Sequence, residues 1–329
     1  MKYRYLGNHG IRVSEISLGA WLTFGGSVDK AKSKEIVTKA IEEGINFIDI
    51  ADIYSKGNAE KTIGEIISEE SYSRKDLVIS SKVFWPMSDN PNDVGLSRKH
   101  IFDSIYGSLK RLETDYLDIY YCHRYDHFTP LRETIEAMDD LIREGFIRYW
   151  GTSVWSAVQL ERAVSIAKEI GAHLPAVEQP RYNMLDRFIE LEIMDVAAYH
   201  GLGLTVWSPL AQGILTGKYN SGIPENSRGK TSEFLKRELT EENLEKVRKL
   251  TDIAKELEIK PSQLALAWVL RDKRISSAIT GATSINQLME NIAASEIILS
   301  NDIIQQIEEI LQNKPQQHFL YGIAVPDRT

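Results

Sequence analysis

Cysteine is almost missing from this chain. Cys122 is the only one in 329 residues, which excludes an internal disulfide framework and any CxxC metal or redox site. That scarcity fits a reducing compartment. Long apolar runs are missing as well. The longest, such as Leu264–Leu270, are far shorter than the roughly 18 residues that span a bilayer. The N-terminus, MKYRYLGNHG, has no stretch resembling a signal-peptide core, so the expected location is cytoplasmic with no membrane insertion. Basic charge is in deficit, with 39 Lys and Arg against 47 Asp and Glu and a net charge of −8. This balance argues against a generic nucleic-acid surface. The dinucleotide loop GxGxxG after a first strand is absent too, because Gly201-x-Gly203 precedes a strand instead of following one.

What remains is an ordinary globular composition, 43% hydrophobic and 26% charged, long enough for a large core without staples. Lys2–Leu6 and Ile11–Ile16 flank the turn cluster Asn8-His9-Gly10 and read as an N-terminal hairpin over residues 1–15. Tyr3 and Tyr5 are expected to pack that hairpin over the lower end of the fold. Short apolar runs then alternate with amphipathic stretches. Strands are expected at Ile16–Leu18, Phe47–Ile50, Leu77–Ser81, Leu117–Tyr121, Tyr149–Gly151, Ala176–Glu178, Leu204–Val206 and Ser277–Ile279. Helices are expected near 33–43, 59–69, 98–112, 131–143, 156–169, 187–200, 242–257 and 284–294. Ile36, Val37, Ala40 and Ile41 share one face at 3.6 spacing, as do Leu131, Ile135, Met138 and Ile142 before Gly145.

Eight β–α pairs without a composition break predict one α/β domain, a (β/α)8 TIM barrel, with an extra C-terminal helix and a flexible tail at 314–329. A doubly wound sheet is the alternative. The stretch 209–240 is too long for a plain connection and reads as a functional loop.

Chemistry in such a barrel sits at the carboxyl ends of the strands. Those ends carry Asp49, then Tyr54, Lys82, His123, Ser153, Gln179 and Trp207-Ser208-Pro209. Singly, each has a bland reading: a helix cap, rim packing, a solvated cation, a satisfied core histidine. Together they suit proton donation by a phenol. Tyrosine titrates at roughly 10, too high for an efficient acid near neutrality. A nearby ammonium such as Lys82 is expected to lower that value, with Asp49 keeping the lysine charged and His123 orienting a carbonyl. The hydride of a carbonyl reduction must come from a cofactor, since no side chain supplies one. Cys122 adjoins His123, but neighbours on a strand face opposite ways, so a small buried hydrophobe is its expected role. His123, Asp126 and His127 lack a completing cluster for a metal, and none is expected.

The segment FIDIADIYSKGNAEKTIG, 47–64, resembles the most specific signature of the aldo-keto reductase family. The resemblance covers almost the whole chain and implies a catalytic tetrad of Asp49, Tyr54, Lys82 (in ISSKV) and His123 (in YYCHRYD). GAWLTFGG (19–26), YWGTSVWS (149–156), WSPLAQGILTGKY (207–219), IPENSR (223–228), GATSINQLMENI (281–292) and ILQNKP (310–315) are similar to the branch containing voltage-gated potassium channel β-subunits. Two positions depart from that branch. The channel subunits carry Asn where this chain has His123, which favours a working enzyme. Val154 stands where they place Arg after the serine, which leaves that cofactor contact unassigned.

The resemblance implies NADPH/NADP+ as cofactor. It puts Trp21 at the nicotinamide end, Ser153 and Gln179 on the carboxamide with Asp49 nearby, and Trp207 stacked on the ring. Ser208, Pro209, Leu210, Ala211 and Gly213 would follow the pyrophosphate, with Lys218 and Arg228 reaching phosphates. Gly281, Thr283 and Gln287 would meet the adenosine phosphate, and Glu290 and Asn291 the adenine. Independently, a helix starting near Ser284 offers free N–H groups and a positive dipole end. Trp21, Tyr54, Trp85 and His123 would line the substrate pocket, which suits an apolar or aromatic carbonyl compound. The implied activity is reversible NADPH-dependent reduction of an aldehyde or ketone. The alternatives are a redox-sensing regulatory subunit of the channel type and a cofactor-free isomerase or lyase. Branch members form tetramers, so a homo-oligomer is also implied. Substrate identity, direction in the cell and docking on a membrane protein are not encoded in any motif.

Overall fold

The structure is a computed structural model that describes residues 1–316, except residues 22, 23, 27 and 226, and it does not describe the side chains of 228, 231 and 234. From 317 onward the expected tail lies outside the described residues.

A short antiparallel pair opens the chain, β1 (Tyr3–Tyr5) and β2 (Arg12–Ser14), with Tyr3 opposite Ser14. Eight parallel strands follow: β3 (Ile16–Gly19), β4 (Phe47–Asp49), β5 (Val78–Val83), β6 (Leu117–Cys122), β7 (Ile147–Ser153), β8 (Val177–Gln179), β9 (Gly203–Trp207) and β10 (Ile275–Thr280). They lie side by side in chain order, and β10 closes back onto β3 with Ile279 opposite Ser17. Between them run α1 (Lys30–Glu42), α2 (Asn58–Glu69), α3 (Arg98–Leu112), α4 (Leu131–Arg143), α5 (Ala157–Ile170) and α6 (Ile193–His200). After β9 come α7 (Arg228–Thr231), α8 (Glu233–Glu238), α9 (Glu241–Glu256) and α10 (Pro261–Leu270), and after β10 come α11 (Ile285–Ala293) and α12 (Asn301–Leu311). The expected TIM barrel is therefore what forms. Strands such as β5, β6 and β10 are buried along their whole length, as both faces of a helix-covered parallel sheet must be.

Several expectations need correction. The helix packed before the last strand is α10, which the periodicity missed, and α9 is additional to the eight-fold pattern. The run Leu264–Leu270 is buried on every side, so it has no polar face and no 3.6 rhythm to detect. The expected helix at 187–200 is broken into a single 3-10 turn, Phe188–Glu190, and α6.

Tyr3 and Tyr5 do not pack under the barrel; they are 46% and 60% exposed. Leu6 and Val13 plug it instead, against Phe47, Val78, Ile119, Tyr121 and Val177. The left-handed residue of the hairpin is Gly7 (φ 58°), not one of Asn8-His9-Gly10. A Cβ there would sit 2.3 Å from the Gly201 carbonyl oxygen, so the hairpin can press on the β9 approach only with glycine at that point.

Candidate active site

Three consecutive strands bring the tetrad together. β4 ends on Asp49, and the chain then turns through Tyr54–Gly57, where Ser55, Lys56 and Gly57 all have positive φ. β5 presents Lys82 one strand over, and His123 continues β6, its N–H donating to the Val83 carbonyl at 2.9 Å. Lys82 is wholly buried. Its Nζ donates to Asp49 Oδ2 at 2.7 Å and to the Ile50 carbonyl at 2.6 Å, and lies 5.0 Å from the centre of the Tyr54 ring. Asp49 Oδ1 also accepts from Ser80 Oγ at 2.7 Å and from Gln179 Nε2 at 2.9 Å. The Tyr54 and His123 rings meet edge to face at 5.9 Å, and Trp85 meets His123 at 6.4 Å. Cys122 lies in the core cluster, and burial pushes its thiol far above the usual range.

Burial also decides the electrostatics. It drives the Tyr54 phenol well above its ordinary value, with the Asp49 carboxylate adding to the effect. The expected lowering by Lys82 therefore does not prevail. The ammonium is itself pulled down by desolvation, against the opposing pull of Asp49, and has already committed two donors elsewhere. His123 is pushed well below the usual imidazole range by burial and then by Lys82 and Arg124, so it is neutral near pH 7. Its Nδ1 is buried without a partner among the described residues.

A cavity of about 810 Å³ opens over these groups. Trp21, Asp49, Tyr54, Trp85 and His123 line one end, and Ser153, Gln179, Trp207, Ser208, Pro209, Leu210, Gly213 and Lys218 continue the wall. Gly281, Thr283, Gln287, Glu290 and Asn291, after β10 and on α11, line the cavity across the barrel from His123. Lys82 sits behind the wall, and Ala211 is buried in the core. The Arg228 side chain lies outside the described residues.

Several neighbours escaped the sequence reading. Arg124 lines the cavity beside His123, and Lys260 and Ser262 line it at the start of α10. Proline at the first position of α10 is a helix-start signal that was there to be read. Two buried carboxylates stand just behind the wall. Asp52 accepts from the Ile53 N–H at 2.6 Å and from Ser104 Oγ at 2.8 Å, and is pushed up to about 7 by burial and then by Glu60. Glu178 accepts from Thr152 Oγ1 at 2.5 Å and from the Trp155 N–H at 3.2 Å, and burial raises it to about 7. It thereby holds the turn after Ser153, where Val154 is left-handed (φ 59°). Asp126, considered as a metal ligand, is committed to the N–H groups of Leu96 and Phe128, each at 2.8 Å.

The cavity fits an elongated anionic cofactor. Trp207 Nε1 and Gln212 Nε2 are buried without partners among the described residues. Ser208, Ala211, Gln212 and Gly213 all have positive φ, and a Cβ on Gly213 would come 2.7 Å from Lys218 Nζ. The starts of α10 and α11 both border the cavity; the first turn of α11 leaves N–H groups without intrahelical partners, whereas at α10 Pro261 has no N–H and Gln263 Oε1 takes that of Lys260.

The sequence model of the Aldo/keto reductase family matches residues 15–312. A protein from Oryza sativa subsp. japonica named as a probable voltage-gated potassium channel subunit beta is 44% identical over 96% of this chain and 98% of its own length. One from Arabidopsis thaliana with the same name is 45% identical over the same shares. A putative subunit of that kind from Schizosaccharomyces pombe is 42% identical over 95% of this chain and 94% of its own. With a family match along nearly the whole barrel, the chain belongs to the aldo/keto reductase family, a family of oxidoreductases.

Proposed function

We propose that this protein is an NADPH-dependent reductase of aldehydes or ketones, working reversibly. The observation that carries the reading is the buried Lys82–Asp49 pair at 2.7 Å, set beneath Tyr54 and His123 at the floor of the cavity. A reduced nicotinamide, when bound, would supply the hydride, and Trp207 would line its site. Ser153 and Gln179 would hold the carboxamide, and Gln179 is itself anchored on Asp49. Lys218, Lys260 and the start of α11 would hold the phosphates.

Tyr54 keeps its proton until an alkoxide forms, because a buried phenol resists ionisation; it then donates that proton to the developing oxyanion. Lys82 has three N–H donors and two are taken, so one remains to steady the phenolate left behind. Neutral His123 can donate one ring N–H to the carbonyl oxygen and fix its approach. Trp21, Trp85 and Trp207 give the reacting carbon an apolar wall.

Tyr54→Phe tests this directly. Turnover with a carbonyl panel, followed by NADPH absorbance, should fall about 10²–10⁴-fold, while NADPH titration by fluorescence stays unchanged. Retention of most of the turnover would refute the role. NADPH should bind more tightly than NADH; equal affinities would remove the phosphate assignment.

The names of the relatives motivate a second reading, a nicotinamide-binding regulatory subunit with little turnover. It predicts tight NADPH binding with no reduction of any carbonyl in a broad panel.

A further inference from the structure

Half-buried arginines in this molecule are generally matched with carboxylates. Arg4 Nε meets Glu15 at 2.6 Å, Arg74 meets Asp118 at 2.7 Å, and Arg111 meets Glu60 at 2.6 Å. Arg187 reaches both Glu190 and Glu308. Arg124 is different. It lines the cavity, sits 5.8 Å over the Trp85 ring, and spends one N–H on the carbonyl of its own neighbour His123. Among the described residues it forms no ion pair.

No carboxylate at that end of the cavity is free to serve it. Asp49 is held by Lys82, Ser80 and Gln179, and Glu178 by Thr152 and the Trp155 N–H. Glu290 lies across the barrel, with Gly281, Thr283 and Asn291. At the carbonyl end of the partly desolvated pocket Arg124 faces the cavity, Lys82 lies behind its wall, and the nearby carboxylates Asp49, Asp52 and Glu178 are committed to other donors. A guanidinium taken out of water without an anionic partner favours an incoming oxyanion, and its planar fork fits carboxylate or phosphate.

We propose that Arg124 is a substrate-binding residue, and that the preferred carbonyl substrate carries an oxyanion, carboxylate or phosphate, a few bonds from the reacting carbon. The inference rests on the reductase reading above. The oxyanion takes no part in the chemistry. The carbonyl carbon gains the hydride, the C=O π pair moves to oxygen, and that oxygen takes the Tyr54 proton, leaving the nicotinamide oxidised and the C–O⁻ neutralised. The apolar walls then contact only the chain that links carbonyl and anion.

The test compares three substrates of matched length: butanal, 4-oxobutanoate and 4-oxobutyl phosphate. Hydrogen bonds to charged groups predict that kcat/KM for one or both anions exceeds that for butanal by about 10–150-fold. Whichever anion leads identifies the source. In Arg124→Gln that ratio should collapse toward one, mainly through KM, and Arg124→Lys should restore part of it. A ratio near one in the unaltered protein, or an unchanged ratio in a folded Arg124→Gln variant, overturns the proposal. If Arg124→Gln does not fold, inhibition of the unaltered protein decides: butanoate should inhibit butanal reduction at least 10-fold more strongly than butan-1-ol, and equal inhibition overturns it. If none of the three aldehydes turns over, the reductase reading fails separately. Quenching of tryptophan fluorescence by butanoate, with NADP+ saturating, then tests Arg124 alone: quenching lost in Arg124→Gln supports the anion site, and quenching absent or unaltered overturns it.

Discussion

The two ends of the barrel bury polar and charged groups under the same physics and to opposite ends. At the amino end Leu6 and Val13 close the floor against Phe47, Ile119 and Val177. The charges there are spent on the protein itself: Arg4 ties Glu15 at 2.6 Å and the carbonyls of Leu270 and Ile275 at 2.7 and 2.6 Å. At the carboxyl end Lys82 and Asp49 are equally paired, but His123 Nδ1, Trp207 Nε1 and Gln212 Nε2 are left without partners among the described residues. Left-handed backbone gathers at that end, at Ser55, Val154, Ser208 and Gln212. The charges of one end are answered by folding, with Ser14 Oγ left unpaired there among the described residues; the other end holds three unpaired polar atoms on residues that line the cavity, whose desolvation a ligand can offset.

The largest expected break in this contrast is Lys82→Met. It removes the partner of a buried carboxylate, which costs about 3–5 kcal/mol when one member of a buried pair is lost. Turnover should also fall by about three orders of magnitude, consistent with the loss of acid–base assistance. Urea unfolding and kcat measured side by side would show both losses; a stable, active variant would mean the pair is dispensable. Leu6→Ala, at the other end, should cost about 2–5 kcal/mol through the cavity it leaves. KM for the carbonyl should stay put, and a changed KM would show that the two ends are coupled.

Asp52 sharpens the comparison through pH. Its folded value is raised from 3.8 to about 7, so between those pH values the folded state keeps a proton that the unfolded state loses. Stability therefore falls as pH rises through that window, by at most about 1.4 kcal/mol per pH unit from this group. Asp52→Asn should flatten that slope in urea titrations at pH 5, 6, 7 and 8; an unchanged slope would show that Asp52 ionises normally. The smallest effect is expected at Val154, a β-branched residue at φ 59°. Val154→Asn should gain up to about 1 kcal/mol, because Asn tolerates that backbone and Val does not. A lowered Tm would show that the isopropyl group packs more usefully than the backbone is strained.

Much of the site could be read before folding, because a parallel barrel delivers every strand end to one rim. Asp49, Lys82 and His123 needed only strand boundaries to be found, and Trp207 and Gln179 followed from the same rule. Arg124 was passed over although it stands next to His123, because a lone arginine in a loop carries no pattern. Lys260 was missed together with α10, whose uniform burial erased its rhythm.

The sign of the Tyr54 shift could not be read at all. Composition places a lysine near a phenol; only packing says that the lysine is wholly buried, already bonded twice, and outweighed by desolvation. The same holds for Gln179 on Asp49, a 2.9 Å bond across 130 residues of chain. The order of the strands, the barrel they close, and most of the groups at its rim follow from the sequence alone, because hydrophobic period and strand polarity are local properties. Which of those groups are paired, which are desolvated and which are left facing the cavity was decided only by the tertiary structure, because solvation and hydrogen-bond saturation depend on neighbours that the chain brings from far away.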